Sequence, residues 1–485
     1  MIVVCPVAAA AASDPRAPAL RFVPAVGPPP PPLDWAEQDV EVRRWQTRLR
    51  ARGLRTGDRV ALVATNHPAA VALLHAAARE RVLLALVNAR LAAAELSPLL
   101  ARLAPRLLLA SRALASRAPG ALVLEDEHRA VASPAAGEAT WDEEAPHTAL
   151  FTSGTEGPPK GVVLPAGAHL ASARASNALL RLGPGCAWLG TLPLFHVGGF
   201  SIAVRCALAG AEVRLHERFD AAAAAAELAA GATHASLVAA TLRQVLDARG
   251  PLPFDGQVRS VLIGGGPVPR PLLERARAAR LPVLQTYGLT EAASQVCTER
   301  PGEEDGTTAG PPLPGTEVRI VDESGAALAG GAAGIVEVRG PTLLCGHLDG
   351  AGIAPRVAQW LRTGDFGSLD ARGRLTVHAR RSDLILSGGE NVYPAEVEAV
   401  LLGHPAVAEA AVVPGPDPRW GQVPVAAVAL RAEAADAELF AHCRAQLASF
   451  KVPREFRRLK ELPRLPAGKV DRRAVLTLLG LIPIA

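Results

Sequence analysis

The chain has 485 residues, 49% of them hydrophobic and 20% charged, and its formal net charge is only +4. This length and apolar content suffice for one large domain with a smaller partner, or for about three domains. The small charge, without a basic run, argues against a nucleic-acid-binding protein, and no apolar stretch has the roughly 18 uninterrupted residues of a membrane span.

Cysteine usage is typical of a reducing compartment. The six cysteines stand far apart without a CxxC pair, so the sequence predicts free thiols and neither a disulfide framework nor a metal cluster. The apolar residues 1–8 lack the basic segment of a signal peptide. We therefore expect a cytoplasmic protein.

Strands and helices alternate along the first part of the chain. A Pro-rich segment at residues 28–32 is expected to be an exposed connector, followed by a helix at residues 34–54. Apolar runs at residues 58–63, 83–87 and 107–109 are typical of strands, with a helix near residues 91–103 between the last two. This alternation predicts a parallel sheet covered by helices.

A loop rich in glycine and hydroxyl side chains occupies residues 152–161, with the sequence Thr-Ser-Gly-Thr-Glu-Gly-Pro-Pro-Lys-Gly. Glycines let backbone N–H groups turn inward, and hydroxyls and a lysine add donors, which is how a loop wraps phosphate oxygens. It is not a Walker A loop, because Pro159 and Gly161 flank Lys160. A plain turn is the alternative.

Two further segments have the residues of a ligand pocket. His196 lies between an aromatic residue and two glycines at the predicted end of a strand, with a packed core histidine as the alternative. Gly264, Gly265 and Gly266 follow a buried strand and would let a flat ligand approach the backbone closely. A β-turn without a ligand is the alternative there.

Polar residues also follow an apolar strand near residue 283. The Tyr287 ring can stack on a base, the Thr290 hydroxyl can contact a phosphate and the Glu291 carboxylate can hold Mg²⁺, although a capped helix start is the alternative. Asp365 precedes a predicted hairpin and could accept from ribose hydroxyls. A turn aspartate is the alternative for Asp365.

The periodicity changes toward two from residue 317, which predicts antiparallel sheet in a small barrel-like part. We place a domain boundary at residues 379–383, with a large N-terminal domain at residues 1–379 and a small α+β domain at residues 380–485. Helices are expected there at residues 394–402 and 436–447. Lys469, one of few lysines in an arginine-rich chain, lies on a loop of this small domain, and an exposed surface lysine is the alternative.

Together these motifs resemble those of the adenylate-forming superfamily of acyl- and aryl-CoA ligases, luciferases and nonribosomal peptide adenylation domains. The resemblance extends from the strand at residues 57–60 to Lys469, with the motifs in the family's order. Residues 264–267, 285–295 and 380–385 are most similar to the o-succinylbenzoate–CoA ligase branch, which serves menaquinone synthesis. The resemblance implies an α/β enzyme with a hinge before its small domain.

The family's reaction has two steps, and the resemblance implies substrates and residues for each. A carboxylic acid reacts with ATP, in the presence of Mg²⁺, to give an acyl-adenylate and pyrophosphate; the small domain then rotates and coenzyme A displaces AMP. Lys469 would bridge the carboxylate and the α-phosphate, Glu291 would bind Mg²⁺, and Thr290 and His196 would complete the catalytic site, His196 as a pocket or gate residue. The implied cofactor-binding residues are Thr152, Ser153, Gly154, Thr155, Lys160, Gly264, Gly265, Gly266, Tyr287, Asp365 and Arg380, with Gly388 and Gly389 lining the CoA tunnel.

Two positions depart from the family pattern. Glu156 stands where Thr or Ser is usual, and its carboxylate would repel a triphosphate unless a cation offsets it. Ser382 stands where many members carry a hinge Asp or Lys. Alternatives to the o-succinylbenzoate ligase are a ligase for another aryl or short or medium acyl acid, a carrier-loading domain, and a non-catalytic adenylate-binding protein. Arg205 and Arg243 are candidates for holding a second carboxylate, although the sequence favours a surface position for both; a homodimer is the expected form of any self-association.

Overall fold

The computed structural model describes residues 1–91, 93–129, 134, 137, 139–152, 160–254, 256–266, 268–348, 352–380, 383–387, 390–465 and 469–481. In this part of the chain, helices cover sheets in the first 300 residues, and a smaller helix-covered sheet follows residue 383. The helices are α1 (Pro6–Ser13), α2 (Trp35–Ala51), α3 (Pro68–Arg79), α4 (Ala93–Leu103), α5 (Leu124–Arg129), α6 (Ala166–Leu180), α7 (Val197–Ala209), α8 (Ala221–Ala229), α9 (Ala239–Arg249), α10 (Arg270–Ala278), α11 (Pro394–Leu402), α12 (Asp436–Arg444) and α13 (Arg472–Leu478).

Two eight-stranded sheets form the large unit. The first is parallel from β9 to its edge strand β7, and its strands in spatial order are β20 (Ile353–Pro355), β19 (Gly346–Leu348), β10 (Lys160–Pro165), β9 (Pro146–Thr152), β5 (Leu83–Val87), β4 (Arg59–Val63), β6 (Leu107–Ala110) and β7 (Leu122–Val123). The second is parallel from β15 to β2, and its strands are β16 (Ser294–Thr298), β15 (Val283–Leu289), β14 (Ser260–Ile263), β13 (His234–Leu237), β11 (Ala187–Gly190), β12 (Glu212–His216), β2 (Pro18–Val23) and β3 (Leu33–Asp34).

Antiparallel sheets complete the fold. A four-stranded sheet, β17 (Glu317–Val321), β18 (Gly334–Arg339), β21 (Leu361–Leu369) and β22 (Leu375–Arg380), is the predicted barrel-like part. The C-terminal sheet contains β24 (Glu390–Val392), β23 (Ile385–Ser387), β26 (Gly421–Leu430), β25 (Val407–Asp417) and β27 (Glu455–Arg458), and a separate pair joins β1 (Ile2–Val4) to β8 (Thr140–Asp142).

Both faces of the first sheet are buried, and alternate side chains of its central strands belong to two different cores. In β4, Val60 and Leu62 join the large core that also contains α2, α3, α6 and α7, whereas Ala61 and Val63 join the core on the opposite face. Successive side chains of a strand point to opposite faces, so a strand that is apolar throughout must be covered on both sides. The uninterrupted apolar runs in the sequence therefore specify central strands.

The predicted α/β class, with a large N-terminal part, a barrel-like sheet and a small α+β part, is confirmed. Two local predictions need correction. Residues 192–196 are not the end of a strand, because β11 ends at Gly190 and His196 is the N-cap residue of α7. Asp365 lies inside β21 and not before the hairpin. The six cysteines are free thiols. Within the described ranges, no helix combines the length and apolar character needed to cross a membrane.

Candidate active site

Several of the predicted site residues lie where parallel strands of the second sheet end. The loop after β11 carries His196, the loop after β14 carries the three glycines, and the turn after β15 carries Thr290 and Glu291. β11, β13, β14 and β15 are neighbours, so their carboxyl ends lie at one edge of the sheet. Crevices at this edge are the usual ligand sites of open α/β sheets.

The glycine loop is next to Lys469 of the small C-terminal part. Gly265 has φ of +85°, and the Cε atom of Lys469 lies 3.5 Å from the position that a Cβ would take on Gly265. Gly264 is close to Thr286 of β15, 3.1 Å from its methyl carbon by the same measure. The structure thus brings Lys469 to the loop that the sequence assigned to the nucleotide, although more than 200 residues separate them.

Tyr287 and Asp365 form a buried hydrogen bond between the second sheet and the four-stranded sheet. The Tyr287 hydroxyl donates to Asp365 Oδ2 at 2.7 Å, and burial, together with the nearby carboxylate, raises the pKa of Tyr287 well above its usual value. Asp365 is directly opposite Arg380 in the β21–β22 pair. The hydrogen bond fixes the tyrosine ring and one oxygen of the Asp365 carboxylate. The strand pairing places the backbone of Arg380 beside Asp365.

Glu291 lies on a single 3₁₀ turn, residues 290–292, whose exit has unusual backbone geometry. Ala293 and Ser294 have φ of +50° and +99°, and a Cβ on Gly288 would lie only 1.8 Å from the Ser294 carbonyl oxygen. Non-glycine residues in this region carry strain that the surrounding structure must compensate. The Glu291 carbonyl accepts from Leu344 N at 2.8 Å, and the turn packs against β10, so this turn lies beside the β9–β10 hairpin that carries the predicted phosphate loop.

A single carboxylate such as that of Glu291 suits a nucleotide-bound magnesium ion, which does not need a full set of protein ligands. Mg²⁺ in nucleotide sites keeps waters and uses one or two carboxylates beside the substrate phosphates. Among the described residues no group of three or more His, Cys, Asp or Glu has the arrangement of a metal site. Glu291 is therefore suited to a magnesium ion that arrives with its nucleotide.

Part of the predicted phosphate loop lies outside the described residues, namely Ser153, Gly154 and Thr155, with Glu156. The backbone around it is described: Thr152 ends β9, Lys160 begins β10, and the two are paired directly across the antiparallel ladder. The loop therefore starts and ends at one point. Gly388, Gly389 and the hinge candidate Ser382 also lie outside the described residues.

His196 is largely buried and faces two cations. Burial, together with the charges of Arg90 and Lys469, lowers the pKa of His196 to about 4. Its Nε2 atom has no hydrogen-bond partner among the described residues, which argues against the alternative of a packed, hydrogen-bonded core histidine. A neutral imidazole with an unsatisfied nitrogen between two cations can accept a hydrogen bond from a substrate.

Arg205 is a functional candidate that is buried, although the sequence favoured a surface position for it. It is 1% exposed on α7, lies over the Trp188 ring at 5.4 Å, and donates to the Ser294 hydroxyl at 3.3 Å. No described carboxylate pairs with it, its Nε atom has no hydrogen-bond partner among the described residues, and burial lowers its pKa to about 10. The signal was available, because α7 is apolar all round apart from Ser201 and this arginine, and helices of this kind are buried. Arg243, the other candidate, is half-buried on α9.

A second arginine holds the segment that presents Lys469. Arg472, on α13, donates to Glu398 Oε2 at 3.0 Å, to Asp383 Oδ2 at 3.2 Å and to the Val412 carbonyl at 3.1 Å. Although burial opposes the charge, the two carboxylates raise the pKa of Arg472. The lysine segment is thus tied to helix α11, strand β25 and the residues just after the domain boundary.

Comparisons with known proteins agree with this arrangement. Residues 7–348 match the family model described as AMP-binding enzyme, and residues 396–469 match the AMP-binding enzyme C-terminal domain. The 2-succinylbenzoate–CoA ligase of Bacillus licheniformis is 38% identical over 444 residues, which cover 89% of this chain and 92% of the relative. The o-succinylbenzoate CoA synthetase (MenE) of Bacillus subtilis, solved with the acyl-adenylate intermediate OSB-AMP, has a TM-score of 0.89 and 33% identity over 98% of both chains.

The same Bacillus subtilis enzyme solved with ATP and a magnesium ion also has a TM-score of 0.89, with 33% identity over 98% of this chain and 99% of that one. The chain therefore belongs to the family of AMP-binding enzymes, within the adenylate-forming superfamily. It is an AMP-forming acid–CoA ligase, as its motifs predicted.

Proposed function

We propose that the chain joins o-succinylbenzoate to coenzyme A through an acyl-adenylate, using ATP and Mg²⁺, in menaquinone biosynthesis. The observation that carries the substrate assignment is the buried guanidinium of Arg205 without a described carboxylate partner. A buried charge of this kind is costly unless another group pairs with it. A carboxylate of the substrate would supply that partner.

The charges along α7 match an acid with two carboxylates. Its N-terminal end, at His196, faces Lys469, and Arg205 lies about 13 Å further along the helix axis at 1.5 Å per residue. Lys469 would hold the carboxylate that is adenylated, and Arg205 the carboxylate on the ring. Ser294, which already accepts from Arg205, would be within reach of the same ring carboxylate.

The remaining residues receive roles from their positions. The Tyr287 ring would lie against adenine beside Gly264, Gly265 and Gly266, and the second oxygen of Asp365 would accept from the ribose. The phosphate-contacting group would comprise Thr152, Ser153, Gly154, Thr155, Lys160, Thr290 and Arg380. Bound Mg²⁺, held by Glu291, would neutralise charge on the phosphates.

We also propose that residues 1–379 and 380–485 are the two domains, because the four-stranded sheet ends at Arg380 and the C-terminal sheet begins at Ile385. Rotation between them would withdraw Lys469 and bring Gly388 and Gly389 to the entering thiol, with His196 as the gate. A cytoplasmic location, a homodimer and the absence of a nucleic-acid partner complete the proposal.

The test is pyrophosphate release with ATP, Mg²⁺ and CoA against four acids: o-succinylbenzoate, 4-oxo-4-phenylbutanoate (which lacks only the ring carboxylate), benzoate and a medium-chain fatty acid. We expect strong preference for o-succinylbenzoate. Arg205→Met should lower its kcat/KM by about 10²–10³-fold, because truncating one member of a buried charge pair costs about 2–5 kcal/mol. The same change should alter turnover of 4-oxo-4-phenylbutanoate only a few-fold.

Arg243→Met is the matched control, since Arg243 is the other arginine considered for this role and is half-buried on a different helix. It should leave the preference unchanged. Preference for another acid would retain the ligase activity and reject the menaquinone assignment. Equal losses on both keto acids in Arg205→Met would reject Arg205 as the carboxylate receptor.

A further inference from the structure

An aromatic contact joins the two proposed domains beside their boundary. His378 lies in β22, the last strand of the four-stranded sheet, and Tyr393 immediately precedes α11 in the small domain. Their ring centroids are 5.1 Å apart and their planes are inclined by 32°. Helix α11 also packs against β22. The ring pair therefore belongs to the surface along which the small domain is seated.

The histidine ring is fixed by its own domain. His378 Nε2 lies 3.0 Å from the hydroxyl oxygen of Ser368 on the neighbouring strand β21. The charged groups that face it, Glu396 and Lys451, are paired with each other at 2.7 Å, and burial lowers the pKa of His378. His378 is therefore a neutral, oriented ring at neutral pH, and its contact with Tyr393 is a tilted aromatic stack of the two rings.

The stack occurs in the domain arrangement in which Lys469 lies at the proposed adenylation site. Lys469 lies beside Gly265 of the large domain in the same arrangement in which Tyr393 lies against His378. Tyr393 and Lys469 are connected through the C-terminal sheet and its two cores, which include their neighbours Val392 and Val470. A rotation that withdraws Lys469 must therefore also move Tyr393 relative to His378.

We propose that His378 is a positioning residue, whose stack on Tyr393 holds the small domain where Lys469 reaches the adenylation site and so sets the balance between the two half-reactions. This rests on the proposed function, in which the two steps require different domain arrangements. Aromatic pairs of this geometry contribute modestly, so removing the stack should change the ratio of the half-reaction rates by about two- to tenfold. Such a change would alter the ratio without destroying either step.

The test compares two rates in each variant. Adenylation is measured as acid-dependent exchange of labelled pyrophosphate into ATP, and thioester formation is measured from supplied acyl-adenylate and CoA. His378→Leu should slow exchange by about two- to tenfold and leave thioester formation unchanged or faster. His378→Phe retains the ring and should restore most of the exchange, and Ser368→Ala, which frees the ring, should show a smaller shift in the same direction.

Phe440→Leu is the matched control, because the Phe440–Phe456 pair, with centroids 4.8 Å apart, lies wholly within the small domain. It should lower the melting temperature and leave the ratio unchanged. Equal slowing of both half-reactions in His378→Leu and Ser368→Ala, or equal behaviour of the Phe and Leu variants, would overturn the inference. If the unaltered chain exchanges pyrophosphate only with another acid, the substrate proposal fails, and the ratio is then measured with that acid.

Discussion

Arg205 is almost completely buried, whereas the side chain of Arg472 is 25% exposed, and the two arginines also differ in their partners. Arg472 is held by the carboxylates of Glu398 and Asp383, which raise its pKa, whereas Arg205 has a hydroxyl and the face of Trp188, and burial lowers its pKa to about 10. An ion pair closed within the chain contributes to the structure, because its charges are already compensated. A buried cation without a carboxylate leaves that place to a ligand. The difference in partners thus distinguishes Arg472, which has a structural role, from Arg205, for which we propose a role in binding the substrate.

The largest effect is expected from removing the structural arginine. Arg472→Leu leaves the buried carboxylate of Glu398 without its cation, so the unfolding free energy of the small domain should fall by about 3 kcal/mol or more. This loss of unfolding free energy is measured by chemical denaturation, with hydrogen exchange in α11 and β25 as the probe of the small domain. The double variant Arg472→Leu/Glu398→Leu should recover part of the loss. A change below about 1 kcal/mol in Arg472→Leu would remove the contrast with Arg205.

Lys469 sharpens the contrast because it is a cation close to Arg472 in sequence, and its proposed role is in adenylation and not in holding the fold together. Lys469→Ala should lower the rate of adenylation by about 10²–10³-fold, as expected for loss of one preorganised donor. Thioester formation from supplied acyl-adenylate should persist, and the melting temperature should change little. Lys460→Ala, at another lysine of the small domain, is the control. Equal loss of both half-reactions would argue against rotation of the small domain.

Buried histidines differ from both arginines, because an imidazole can be buried in its neutral form, without its proton. His75, His147 and His169 lie in the core of the large domain, and burial lowers their pKa values, that of His147 to about 4. The unfolded chain takes up these protons first as the pH falls below about 6.5, so folded-state stability decreases from there toward pH 4. At pH 4.5 the cost for His147 alone is roughly 2 kcal/mol.

Thermal unfolding measured from pH 7 to 4.5 checks this slope. His147→Gln, which keeps an N–H donor for the Leu74 carbonyl that His147 contacts at 2.9 Å, should flatten the dependence by about one proton. An unchanged slope in this variant would show that other groups account for the acid sensitivity.

The smallest effect comes from giving Arg205 the kind of partner that Arg472 has. Ser294→Asp places a carboxylate beside the guanidinium at a position whose positive φ Asp and Asn tolerate. The melting temperature should hold or rise, while kcat/KM for o-succinylbenzoate falls by about tenfold because the new carboxylate competes with that of the substrate. Ser294→Asn is the neutral control. Similar losses in both variants would indicate a steric cause.

Much of the framework was accessible from local sequence. The run Leu83–Val87 is a strand and Pro394–Leu402 is a helix with the predicted bounds, because period and breakers are local signals. Contacts between distant segments were not accessible. The Tyr287–Asp365 hydrogen bond spans 78 residues, and the closeness of Lys469 to Gly265 depends on how the two parts of the chain pack. Arg205 was misplaced because its charge was weighed alone and not against the apolar helix around it.

Gly288 and Gly266 differ in how mutations at them would be tolerated. A Cβ on Gly288 would lie 1.8 Å from a backbone oxygen, whereas one on Gly266 meets no described atom within 4 Å. Consider a library of all single substitutions that is assayed once for the amount of folded protein and once for ligase activity. Variants at Gly288 should fail both assays. Gly266 should pass the first and fail the second, because only the bound nucleotide would collide with the added atom. Comparing the two assays would therefore trace the outline of the nucleotide by the glycines that matter only when it is bound.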